Sequence, residues 1–177
     1  MPIEAPSVPP LLDLIRGTVL LAAARTAFTS LAEASGDGGY CGYALYSDAD
    51  ARTVCCAVNT REHLARTQAG DPDDAEYYRW NPAEWALEGV GHEHLAEVNR
   101  LLLSSSPRRE HLYETCVAVL ETLVAEGVLG RYEDTVVVFA VSDHMDPQRE
   151  TEWIRRLNTP SQARRHAQWI RTAPTQT

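Results

Sequence analysis

Apolar side chains recur at Leu11, Leu14, Ile15, Leu21, Phe28 and Leu31, the three-to-four spacing of a helix with one buried stripe. They predict a first helix running down to Ala34, closed by the turn-forming SGDGG at 35–39. The next two segments, YCGYALYSD (40–48) and RTVCCAVNT (52–60), are rich in β-branched and aromatic residues around a polar connection and predict an antiparallel hairpin. Asn59 or Thr60 then caps a short helix over 60–67, followed by an acidic loop, QAGDPDDAE (68–76). Glu76 to Trp80 alternate in a way that predicts a short strand, and a helix is predicted to open at Pro82 and break near Gly89 and Gly91. Leu95, Val98, Leu101 and Leu102 mark a helix from about His92 to Leu103. Ser106-Pro107 is expected to cap another, through Leu112, Cys116, Val119, Leu120 and Leu123 to its stop at Gly127. The run TVVVFAVSD (135–143) is continuous and β-branched, as in a strand buried on both faces, and is expected at the centre of the sheet. Helical patterns over 147–157 and 160–171 finish the chain and carry six arginines.

These elements predict a single α+β domain over residues 9–172, between a leader (1–8) and a tail (173–177). Its mostly antiparallel sheet of about four strands takes in the hairpin 40–60, the short strand 76–80 and the central strand 135–143.

The densest aromatic stretch, DAEYYRWNPAEWALEG (74–89), has a structural explanation. With Asn81 as the cap, Pro82 falls at the first helical position, where its missing N–H costs nothing. Glu84 falls where its carboxylate can reach back to the cap amide, and Trp80 and Trp85 occupy the two ends of a hydrophobic staple. On a strand over 76–80, Tyr77 and Arg79 would share one face while Glu76, Tyr78 and Trp80 share the other.

Composition narrows the function. A chain of 177 residues, 44% hydrophobic and 23% charged, suffices for one substantial core. Its formal net charge of -9 and pI near 5.1 speak against nucleic-acid binding and favour a basic protein partner. Cys41, Cys55, Cys56 and Cys116 show no zinc-site spacing and read as small buried hydrophobes in a reducing compartment. Adjacent Cys55 and Cys56 would point to opposite faces of a strand, which argues against a disulfide. MPIEAPSVPP has none of the parts of a secretory signal, and the longest apolar run, Val19 to Ala24, falls far short of the roughly 18 residues of a membrane span. A cytoplasmic protein without membrane, metal or cofactor is expected.

Three constellations could carry chemistry. Glu84, Glu88 and His92 would line one face if a single helix ran through them and could then hold a divalent metal. Alternatively, Glu84 caps, Glu88 is solvated and the glycines rotate His92 away. Asp143 and His144, with Asp146, close the buried strand, where α/β sheets tend to hold active groups; a turn or helix cap is the alternative. Ser142, Asp143 and His144 are consecutive and so cannot converge as a catalytic triad. Cys41 or Cys116 could be a nucleophile only in an electropositive setting beside a histidine. A fourth feature suggests binding instead. Asp71, Asp73, Asp74 and Glu76, next to Tyr77 and Arg79, would steer a basic partner and supply an aromatic anchor, although such a loop can equally be a solvated turn.

The segments GYALYSDADA (42–51), NTREHL (59–64), YYRWNPAEWALEG (77–89), VVVFAVSD (136–143) and RRLN (155–158) resemble a bacterial family, the domain of unknown function numbered 4303. The resemblance extends from the first helix to about Asn158 and brings no catalytic motif with it. It implies a single cytoplasmic domain and, because some members are encoded near secreted polymorphic toxins, an immunity or partner-binding role. The leading expectation is therefore a non-enzymatic protein-binding domain, in its sharpest form an immunity protein covering a basic toxin. The alternatives are a small hydrolase or metal-dependent enzyme using Asp143 and His144, and a self-associating module joined through its C-terminal arginines.

Overall fold

The computed structural model describes residues 11–35, 39–129, 132–142 and 146–172. Its elements are α1 (Leu11–Ser35), β1 (Tyr40–Ser47), β2 (Val54–Thr60), α2 (Arg61–Gly70), α3 (Ala75–Trp80), β3 (Leu87–Val90), α4 (His92–Ser105), α5 (Arg109–Glu126), β4 (Val136–Val141), α6 (Pro147–Leu157) and α7 (Pro160–Thr172). The fold is α+β in one domain, with a four-stranded mixed sheet in the order β3-β2-β1-β4. The hairpin forms as expected, and β2 pairs antiparallel with β3, while β1 and β4 run parallel.

Strand alternation divides the interior in two. Tyr43, Leu45, Cys56, Val58, Val137, Phe139 and Val141 point to a large core built with α1, α4 and α5, centred on Phe28, Tyr113 and Leu120. Ala44, Ala57, Val136 and Val138 point the other way, to a smaller core closed by Trp80, Trp85, Ile154 and Ala163. From α6, Trp153 and Leu157 serve the first core and Ile154 the second, so this helix wraps the β4 border.

Four sequence expectations need correction. The β4 run is buried on both faces, but it is an edge strand. Its outer border is covered by the Asn158 amide, which accepts from the Val137 N–H at 2.8 Å and donates to the Val137 carbonyl at 2.7 Å, as a neighbouring strand would. Hydrophobic pattern reports burial of faces and is blind to this border.

Second, residues 76–80 are helical. The Trp80 indole N–H donates to Glu76 at 3.0 Å, an i to i−4 contact that a helix permits and an extended strand does not. Six residues are too few for helical periodicity to outweigh apparent alternation. Much of the expected loop before it is ordered too: 68–70 end α2, and Pro72–Asp74 form a 3-10 turn.

Third, the helix expected at Pro82 is a single 3-10 turn, Pro82–Glu84, from which Trp85 departs in an extended conformation toward β3. Asn81 does cap it, accepting from the Ala83 N–H at 3.3 Å, but Glu84 does not reach back; its carboxylate accepts from the Tyr77 hydroxyl at 3.1 Å. Fourth, Ser106 ends α4 in a left-handed conformation, φ 42°, and does not begin α5.

Both tryptophans are buried, at 4% and 5% exposure, and each has structural work. Trp85 lies on β1 where Gly42 leaves the strand bare. A Cβ there would stand 3.0 Å from the indole Cη2 and 3.1 Å from the Asn59 Cβ. Gly42→Ala is therefore expected to lower stability by about 1–3 kcal/mol, the usual cost of overpacking. Urea unfolding checks this, and an unchanged midpoint would contradict the packing described.

Candidate functional site

The acidic turn and α3 stand at the border of the smaller core. The α2 helix ends at Asp71, whose N–H donates to the Thr67 carbonyl at 3.1 Å, and Gln68 Nε2 spans the turn to the Ala75 carbonyl at 2.7 Å. Between these ties, Pro72, Asp73 and Asp74 are exposed. The Tyr77 and Tyr78 rings meet edge to face, centroids 5.6 Å apart. Tyr78 donates to Asp71 at 3.4 Å, and Tyr77 to Glu84. Burial and then the neighbouring carboxylate hold both phenols above their ordinary pKa, Glu84 for Tyr77 and Asp71 for Tyr78.

The six expected contact residues thus separate by environment. Asp73 and Asp74 face water with no ion pair among the described residues, while Asp71 and Tyr77 are half-buried and tied locally. Glu76 is turned inward, accepting from Trp80 and from Arg165 of α7, whose Nε lies 2.8 Å away. Arg79 is half-buried; its Nη1 approaches the Asp134 carbonyl at 3.4 Å, and its Nε is buried without a partner among the described residues. Burial first, and nearby Arg165 second, depress its pKa.

Between α3, the start of β4 and α7 lies a cleft of about 240 Å³, lined by Arg79, Trp80, Glu133, Asp134, Val136, Gln162 and Arg165. On its rim Asp134 is committed to Arg61, with contacts of 2.7 and 2.8 Å from Nε and Nη2. Gln162 bridges from α7 to the Thr135 carbonyl at 2.6 Å. Behind Trp80, His166 is 3% exposed and meets the indole edge to face at 5.0 Å. Its Nδ1 has no partner among the described residues, and burial pushes its pKa down to about 4 against a small opposing effect of Glu76.

The other constellations do not assemble. Glu84, Glu88 and His92 lie on a 3-10 turn, a strand and a helix, and Glu88 instead accepts from the Tyr46 hydroxyl at 2.9 Å. No group of three His, Cys, Asp or Glu suited to a metal occurs among the described residues. Asp143 and His144 lie outside those residues; Asp146 takes the capping role, accepting from the Arg149 N–H at 3.1 Å. The cysteines are free, and burial pushes the thiols of Cys41, Cys56 and Cys116 up, opposite to the activation a nucleophile needs. Among the described residues no helix is long and apolar enough to cross a membrane.

Arg61, Asp134, Gln162, Arg165 and His166 were not foreseen as neighbours of the acidic stretch. The usable signal was the arginine-bearing last helices set against a surplus of acid, but Glu76 and Arg165 are 89 residues apart and only tertiary structure joins them. The sequence model of one family, a domain of unknown function (DUF4303), matches residues 20–159. No curated protein and no solved structure matches the chain.

His166 gives a pH prediction. Its folded pKa lies below the unfolded value near 6.5, so its contribution to stability is complete above that value and is lost as pH falls toward about 4. His166→Phe should flatten the decline of the thermal midpoint between pH 6.5 and 4 relative to wild type; equal slopes would show that the ring is not a buried neutral imidazole.

Proposed function

We propose that this protein, which belongs to the DUF4303 family, is a non-enzymatic binding domain that meets a basic protein through the turn Pro72–Asp74. The supporting observation is the exposure of Asp73 and Asp74 without an internal cation, on a turn pinned at both ends. Several arginines elsewhere are paired within the chain: Arg25 with Glu126, Arg61 with Asp134, Arg100 with Glu97, and Arg156 with Glu114 and Glu121. With a formal net charge of -9, the exposed Asp73 and Asp74 can speed encounter with a cationic partner.

An ordered acidic turn loses little conformational entropy on binding. The contact surface on this reading is Asp71, Asp73 and Asp74, with Tyr78 beside them. Glu76 and Tyr77 hold the platform behind it, and Arg79 faces the neighbouring cleft. An immunity protein that occludes a basic toxin site is the specific form proposed. A cytoplasmic setting suits it, since four free cysteines persist as thiols in a reducing compartment.

Co-expression with the product of the adjacent gene tests the reading. A complex is expected that survives at low salt and weakens as salt rises. Asp73→Asn with Asp74→Asn should slow its association about tenfold without moving the thermal midpoint, since electrostatic steering acts on the on-rate. No complex, or one indifferent to both salt and this double substitution, overturns the proposal.

A further inference from the structure

The Arg79–Arg165 cleft is an electrostatic anomaly in an acidic protein, and it is separate from the exposed turn. Two guanidinium groups line one cavity; of the acids around them Asp134 and Glu76 are already engaged, while Glu133 is exposed at the rim. Asp134 gives both carboxylate oxygens to Arg61. Glu76 gives Oε1 to Arg165 and Oε2 to the Trp80 indole. Among the described residues no carboxylate hydrogen-bonds Arg79: its Nη1 makes the long approach to the Asp134 carbonyl, and its Nε has no partner. A guanidinium carries five N–H donors and stays charged under all ordinary conditions. A partly desolvated cation with a buried, unpartnered Nε–H, beside a second cation, is costly to keep unless something else meets it.

We propose that this cleft binds a small organic carboxylate, held between Arg79 and Arg165. The walls select for that class. Planar carboxylates match guanidinium donors, and about 240 Å³ holds an organic body as well as the charged group. The Trp80 indole and Val136 offer it apolar surface, while Glu133 and Asp134 at the rim oppose a dianion such as phosphate more strongly than a monoanion. A free acid and a chain terminus both present a carboxylate. The proposal is one of binding alone: the described lining residues pair no nucleophile with a base.

The test follows the side-chain Nε–H resonances of Arg79 and Arg165 by NMR in the full-length protein during titration with butanoate, with sodium chloride at matched ionic strength as control. A saturable shift of both resonances with butanoate, and none with chloride, is expected. Tighter binding of inorganic phosphate than of butanoate, or equal shifts with butanoate and chloride, overturns the proposal. The tripeptide Gly-Gly-Val, as free acid and as amide, separates the two sources. Binding of the free acid at least as tight as that of butanoate assigns a chain terminus, and binding of butanoate alone assigns a free acid. Arg79→Gln should weaken binding at least tenfold while leaving the thermal midpoint unchanged or higher. If that variant does not fold, the wild-type titration still decides the matter.

Discussion

The smaller core depends on how little side chain β1 and β2 present to it. Gly42, Ala44 and Ala57 leave a shallow floor on that face of the sheet, and the Trp85 indole lies on it so closely that a Cβ at Gly42 would stand 3.0 Å from Cη2. Because large aromatics gain mainly from the area they bury, this contact fixes the path of the chain from α3 to β3. The acidic turn, the Tyr77–Tyr78 pair and the Arg79 cleft all follow from that path. The larger core is deeper and carries most of the apolar burial, but it does not position these features.

Charge reinforces the same layout. Glu76 receives Arg165 across the cleft and the Trp80 indole within its own helix, so one carboxylate joins α3 to α7 and orients the indole. Arg61, at the start of α2, reaches Asp134 ahead of β4 and lies over the Tyr132 ring at 4.8 Å. Exposed ion pairs of this kind add little stability singly. They matter here as registration, since they hold the helices on the second face at one setting relative to the strands.

Much of the fold was legible because long elements repeat their pattern. The α1, α4, α5, α6 and α7 helices, the β1–β2 hairpin and the Thr60 cap follow from spacing and cap chemistry alone; Thr60 accepts from the His63 N–H at 3.1 Å. Residues 76–90 were misread because each element there is shorter than two helical turns or is a four-residue strand, and tertiary packing overrides local preference at that length. The candidate site was only partly legible. Acid at Asp73 and Asp74 is visible in the sequence, whereas the inward turn of Glu76 and the pairing that isolates Arg79 depend on partners from α7 and the β4 approach.

The Asn158 amide against Val137 has a further consequence. The segment Val136–Val141 is uncharged and dominated by β-branched residues, and an open border there would offer a template for another extended chain to add to. One side-chain amide occupies the hydrogen-bonding groups of Val137 and α6 packs over the border, so an incoming strand would meet an amide and a helix where it would need free backbone groups.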